Sequence, residues 1–247
     1  MGKTHEALER AEKEYKKTLV ETPPDYEKAL VVKGPRQFPI QAPLDKYQEV
    51  KIKLITRFPE ESIKTILFTG TAHGDGTSTT AVSFATTLAR DCRLNVLLMD
   101  VNLRCPSLHD VFNIEPNHGL STLLTGKEKP PFFKKVGDGE LFVIPSGGKH
   151  SGPLTLFESK RFDKTLKMMR EKFDYVILDA PPVNSYSEPR VIGTKVDGVI
   201  LVIESGKTRK QVAIRAKQEL EDAGAKLLGV ILNRRKHYIP EWIYRRL

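Results

Sequence analysis

The sequence predicts an α/β fold, a mostly parallel sheet with helices on both faces. Three observations carry this. Six short runs, apolar nearly throughout, alternate along the chain with amphipathic segments of helical period. A glycine-containing stretch, GTAHGDGTSTTA (Gly70 to Ala81), stands between the first of those runs and a helix. Two of the runs end in aspartate, Asp100 in NVLLMD and Asp179 in YVILDAPP.

Taken in order, residues 3–20 (KTHEALERAEKEYKKTLV) place Ala7, Leu8, Ala11, Tyr15 and Leu19 three and four apart, the spacing of an amphipathic helix. Residues 1–20 are expected to form an N-terminal helical arm, standing off the domain or folded back onto it. Residues 21–43 carry Pro23, Pro24, Pro35, Pro39 and Pro43 and read as an extended linker rather than a packed element. The domain then occupies residues 44–247. A helix, LDKYQEVKIKLIT, leads to the strand KTILFTG, the glycine-containing loop, and a helix from Ser78 to Arg90. The strand NVLLMD, a short helix around GLSTLLTG, the strand LFVIPSG and the helix SKRFDKTLKMMREKF follow. The strands YVILDAPP and DGVILVIESG, the helix RKQVAIRAKQELEDAG and the strand KLLGVILNR close the domain. In such folds functional groups gather at the carboxyl ends of the strands.

At 247 residues, 39% hydrophobic and 29% charged, the chain has the make-up of an ordinary globular domain with a short appendage. No apolar run approaches the roughly 18–20 residues of a membrane-spanning helix, and the N-terminus is too polar for a signal peptide. Cys92 and Cys105 make no disulfide framework. These features lead us to expect a cytoplasmic protein. The net charge of +9 raises nucleic acid or an anionic membrane face as partners. The basic residues are mostly mixed with acids on helix faces, so nucleic acid is not expected and membrane contact would be peripheral. NRRKH and the final YRRL concentrate charge at the C-terminus. The segment HYIPEWIYRRL sets Ile239, Trp242 and Ile243 beside Arg245 and Arg246; it reads equally as a surface-binding segment or as a tail packed on its own domain.

The loop is the chemical centre. Backbone N–H groups and a helix N-terminus can converge on a phosphate there, and Gly74 and Gly76 allow close approach and positive φ. Ser78 and Thr79 fall where hydroxyls would meet Mg²⁺ and a phosphate oxygen. Against the pattern G-x-x-x-x-G-K-[ST], Thr71 replaces the first glycine and Thr77 replaces the lysine. Asp100 and Asp179, at the ends of buried strands beside this loop, stand where Mg²⁺ is held and a nucleophile positioned.

The series GTAHGDGTSTTA, LLMDVNLRCPSLHDVF, GLSTLLTG, FDYVILDAPPV, VDGVILVIESGKT and LLGVILNR resembles the bacterial tyrosine kinases of capsule and exopolysaccharide synthesis, P-loop ATPases related to the partition and division-site ATPases. The resemblance spans roughly Leu44 to Arg234. It implies ATP/ADP and Mg²⁺ as ligands and transfer of the γ-phosphoryl group to tyrosine. Gly74, Asp75, Gly76, Thr77, Ser78 and Thr79 would form the nucleotide loop, with Asn233 on the adenine side. Asp100 would be the base toward the tyrosine hydroxyl, with Asn102 and Arg104 completing its motif; Ser78, Asp100 and Asp179 would serve the metal. The resemblance also implies a membrane chain-length protein as partner and a homo-oligomer.

Several positions depart from the family pattern. Thr77 lacks the loop lysine, Asn102 stands for a second aspartate, and Asp45, Gln48 and Lys51 align with the oligomerisation pattern E-x-x-R-x-x-R. The C-terminal tyrosine cluster is reduced to Tyr238 and Tyr244. The expectation is therefore a kinase-family regulator with impaired phosphotransfer, the alternatives being an active tyrosine autokinase or a partition-type ATPase. His73, Arg104 and Lys207 are the cations that could stand in for the lysine. Cys105 has no evident base and is read as incidental.

Overall fold

Apolar runs that cannot leave either face in water end up in the middle of one sheet. A computed structural model describes residues 30–32, 44–90, 92–126, 133–137 and 139–235. The arm over residues 3–20, the prolines of the linker and the tail with Tyr238, Trp242 and Tyr244 lie outside the described residues. The six expected strands are β2 (Thr65–Gly70), β3 (Val96–Asp100), β5 (Leu141–Ile144), β6 (Tyr175–Asp179), β7 (Gly198–Glu204) and β8 (Leu227–Asn233). All six run parallel, in the spatial order β5-β3-β6-β2-β7-β8.

Two short strands that the sequence did not announce extend this sheet. Leu30–Val32, inside the segment read as linker, forms β1 and pairs parallel with β4 (Lys134–Val136). The β4 strand runs antiparallel to β5, so the sheet reverses direction at this edge.

The expected helices are α1 (Leu44–Arg57), α2 (Thr77–Arg90), α4 (Leu120–Thr125), α6 (Lys160–Lys172) and α8 (Lys210–Asp222). Three one-turn helices, α3 (Leu108–Phe112), α5 (Pro153–Phe157) and α7 (Glu188–Gly193), lie in the connections. Ser159 caps α6 by accepting the Phe162 N–H, a bond worth about 1 kcal/mol. On one face of the sheet Leu97, Met99, Phe142 and Leu178 pack with Phe162 and Met169 of α6. On the other, Ile66, Phe68, Leu98 and Ile177 pack with Phe84 and Leu88 of α2 and with Tyr47 and Leu54 of α1. Phe84 lies 5.6 Å from Phe68, centroid to centroid, and truncating it to alanine would cost about 3–5 kcal/mol.

The amino ends of the strands are tied by Asp197, which precedes β7. Its Oδ2 accepts from the N–H of Lys64 and from the N–H and hydroxyl of Thr65, while Arg170 of α6 pairs with its Oδ1 at 3.1 Å. That brace closes one end of the sheet. The opposite, carboxyl end receives the phosphate loop, and there the pairing of β3 with β6 sets Asp100 level with Asp179.

Candidate nucleotide site

The loop between β2 and α2 is held by its own acid. The Asp75 carboxylate is buried and turned inward, its Oδ2 accepting from the Thr71 N–H at 2.8 Å, the Thr71 hydroxyl at 2.7 Å and the Ala72 N–H at 2.9 Å. Asp75 thus shapes the loop with its side chain. Gly74 and Gly76 take φ of 93° and 86°. At Gly76 a Cβ would also stand 2.0 Å from Asn233 Nδ2, so only glycine fits. Thr77 opens α2 with its hydroxyl against the end of β2, where a Cβ on Gly70 would come within 2.6 Å of Oγ1.

The end of β8 supports the loop from outside. Asn233 Nδ2 donates to the Asp75 carbonyl at 2.9 Å, and Arg234 Nη1 donates to the Gly74 carbonyl at 3.1 Å. The Asn233 Oδ1 accepts the Arg234 N–H at 2.9 Å, so the amide expected on the adenine side holds the loop with one end and the backbone after β8 with the other.

The carboxylates lie where the strand ends meet. Asp100 is fully buried; its Oδ1 accepts the Asn102 N–H at 3.1 Å and its Oδ2 accepts the N–H groups of Ser107 and Leu108, each at 3.2 Å. Burial pushes its carboxyl up to about 7, against the pull of those three N–H donors. Asp179 is equally buried, and neither of its oxygens has a hydrogen-bond partner. Burial raises its carboxyl well above the usual range, the neighbouring Asp100 charge raises it further, and the Ser78 hydroxyl, close by but short of a formed hydrogen bond, partly offsets both. Two adjacent buried acids cannot both ionise cheaply without a cation.

Their oxygens fit a hard divalent ion. Ser78, Asp100 and Asp179 would hold Mg²⁺ with water and phosphate oxygens completing its shell. Among the described residues no group of three His, Cys, Asp or Glu could hold a metal alone.

The other motif residues have structural occupations. Asn102 Oδ1 accepts the Cys105 N–H at 3.1 Å and so shapes the turn after β3. Arg104 points to Glu188, with Nε at 2.9 Å and Nη2 at 2.7 Å from Oε1, and stacks over the Tyr186 ring at 4.9 Å. Tyr186 in turn contacts His73 of the loop, hydroxyl to Nε2 at 3.4 Å. Sequence reasoning missed Glu188 and Tyr186. The available signal was SEPR, a serine, an acid and a proline that together mark a helix start.

No family model matches the chain. It is 32% identical over 193 residues to the tyrosine-protein kinase YwqD of Bacillus subtilis, which spans 78% of this chain and 81% of that protein. The chain belongs to the bacterial tyrosine kinase family. It is also 32% identical over 176 residues to the tyrosine-protein kinase CpsD of Streptococcus pneumoniae, covering 70% of this kinase-family chain and 77% of that one. Among solved structures, the chimerical protein CapA2B2 superposes with a TM-score of 0.76 at 26% identity over 84% of this chain and 95% of its own. The septum site-determining protein MinD of Pyrococcus horikoshii, solved with Mg-ADP, shares the fold with a TM-score of 0.59 at 19% identity, over 74% and 76% of the two chains. The mostly parallel, helix-covered P-loop architecture expected from sequence is thereby established.

Proposed function

We propose that this kinase-family chain binds ATP or ADP with Mg²⁺ at the loop over residues 71–78 and turns ATP over slowly or not at all. The observation that carries the reading is the pair of buried carboxylates at the loop, Asp179 with both oxygens unpartnered and Asp100 in register beside it. A bound cation would satisfy what the protein leaves open. Mg²⁺ there would offset the charge of the nucleotide phosphates.

In the transfer, the bond from the γ-phosphorus to the β–γ bridging oxygen breaks and a bond to the tyrosine oxygen forms, leaving ADP. The tyrosine proton would pass to Asp100, the carboxylate at the end of β3 level with Asp179. Thr77 offers the phosphates a neutral hydroxyl where the motif has an ammonium. Loss of one preorganised charge stabiliser commonly costs about 10²–10³ in rate. Losing a charge-assisted hydrogen bond weakens binding by only about 10- to 100-fold. The numbers favour retained binding over retained turnover.

The test is calorimetric titration of the natural protein with ATP and ADP, with and without Mg²⁺, beside a phosphotyrosine assay. Mg²⁺-dependent binding without phosphotyrosine is expected. Phosphotyrosine that forms on the purified protein and disappears in Asp100→Ala would overturn the impaired-turnover reading.

A regulatory role in capsule or exopolysaccharide assembly, docked on a membrane chain-length protein and peripheral at the inner membrane face, accords with the kinship and with the absence, among the described residues, of any helix long and apolar enough to cross a membrane. Co-purification with that membrane protein tests it, and failure to associate refutes the docking.

A further inference from the structure

The loop lacks its lysine, yet two cations stand beside it on other elements. Glu204, the last residue of β7, accepts from Lys207 Nζ at 3.0 Å and from Arg234 Nη1 at 3.3 Å. Arg234 Nη1 also donates to the Gly74 carbonyl at 3.1 Å, and Lys207 Nζ lies 3.9 Å from where a Cβ on Gly74 would stand. Arg104, the cation on the turn after β3, is committed to Glu188.

We propose that Lys207 and Arg234 supply, from the β7–α8 turn and the end of β8, the positive charge that Thr77 does not bring to the loop, for a ligand of the nucleoside di- or triphosphate class. This rests on the nucleotide-binding reading above.

Charge counting favours it. Two cations sharing one carboxylate leave the cluster of Glu204, Lys207 and Arg234 with a net +1, the charge the missing lysine would bring. Glu204 stays ionised, because the hydrogen bond from Lys207 foremost, and Arg234 with it, hold its carboxyl below the usual range against the effect of burial. Exposure also separates the roles. The Glu204 side chain is only 15% exposed, whereas Lys207 and Arg234 are 67% and 56% exposed, so the acid is a fixed post about which both cations can re-aim toward a phosphate. A cation need not be carried on the loop to act on the anion inside it, because Coulomb attraction falls only as the inverse of distance. The exposure of both side chains makes this contribution more sensitive to salt than that of a lysine enclosed by the loop.

The experiment titrates the full chain with Mg²⁺-ADP and Mg²⁺-ATP by calorimetry at two salt concentrations. The variants are Lys207→Gln, Arg234→Gln, the pair together, and each of these with Thr77→Lys. Glutamine at 234 ends two atoms short of Nη1, so it removes the bond to the Gly74 carbonyl along with the charge, whereas Lys207→Gln removes charge alone. Thermal melting without nucleotide reports any loss of fold, in which case Lys207→Gln, which breaks no bond to the loop, carries the test. The paired variant is expected to bind about 10- to 100-fold more weakly with a shallower salt dependence. Thr77→Lys should recover most of that loss while improving the natural protein much less. Equal affinity in natural and paired-variant proteins would overturn the inference and leave nucleotide binding intact. No binding by the natural protein, with or without recovery by Thr77→Lys, would overturn both.

Discussion

Raising the pH of the Mg²⁺-free protein should weaken it. The Asp100 carboxyl sits at about 7 in the folded chain against an ordinary 3.8. The folded state therefore holds a proton that the unfolded state has released throughout the interval between those values. Stability falls wherever the folded state binds more protons, by about 1.4 kcal/mol per pH unit for each such group. For Asp100 alone the loss starts near pH 4, amounts to roughly 2 kcal/mol between pH 5 and 7, and totals on the order of 4 kcal/mol well above pH 7. Against a usual domain stability of about 5–15 kcal/mol, that is a large share. Asp179 shifts in the same direction and steepens the slope. Urea unfolding in EDTA at intervals from pH 5 to 8.5 measures it. Asp179→Asn, which sacrifices no hydrogen bond, should flatten the profile, and excess Mg²⁺ should lift the alkaline end in the natural protein. A flat or rising profile in EDTA would refute the account of the carboxylate pair.

Gly76→Ala, with φ of 86° and Asn233 Nδ2 in the place of the new methyl, should lower stability by about 1–3 kcal/mol and abolish nucleotide binding. Gly224→Ala, at φ of 85° with open space around it, should cost about 1–2 kcal/mol of stability and leave binding unchanged; thermal melts and calorimetry compare the two. Glu188→Ala should cost about 1–3 kcal/mol in urea melts, since it strips a half-buried Arg104 of its partner. Burial acts to raise the Asp197 carboxyl, but the N–H groups of Thr65 and Lys64 and then Arg170 outweigh it and hold it below the usual range. Its contribution to stability is thus present above about pH 4 and lost as the pH falls through the lowered value. Asp197→Asn should make the protein's stability less dependent on pH below 4, as acid titrations followed by circular dichroism would show.

The parallel strands were legible because burial on both faces writes itself as an uninterrupted apolar run, as in NVLLMD and YVILD. KKV and LVV are three residues long, and the lysines of β4 signal an exposed edge rather than a strand. The helices LHDVF, PLTLF and EPRVIG are too short to show a period. At the site, Asp100, Asp179 and the loop glycines could be located from their places at strand ends and before a helix. Their partners could not. Asn233 is 158 residues from Asp75, and Arg104 is 84 residues from Glu188; only the sheet order brings each pair within hydrogen-bond distance. The inward turn of the Asp75 side chain depends on the path of the backbone around it, which no residue pattern encodes.

The level pairing of Asp100 with Asp179 restricts what the gene can tolerate in length as well as in identity. Side chains alternate between the faces of a strand, so one codon inserted between Val96 and Asp100, or between Tyr175 and Asp179, would turn one carboxylate to the opposite face of the sheet or shift every pairing before it. The turn after β3 is bound by a similar count, because Asp100 must reach the backbone two, seven and eight positions ahead. Gains and losses of sequence should therefore be absorbed far from here, and a deletion library of the domain would record these two strands as intervals in which a single codon is as damaging as many.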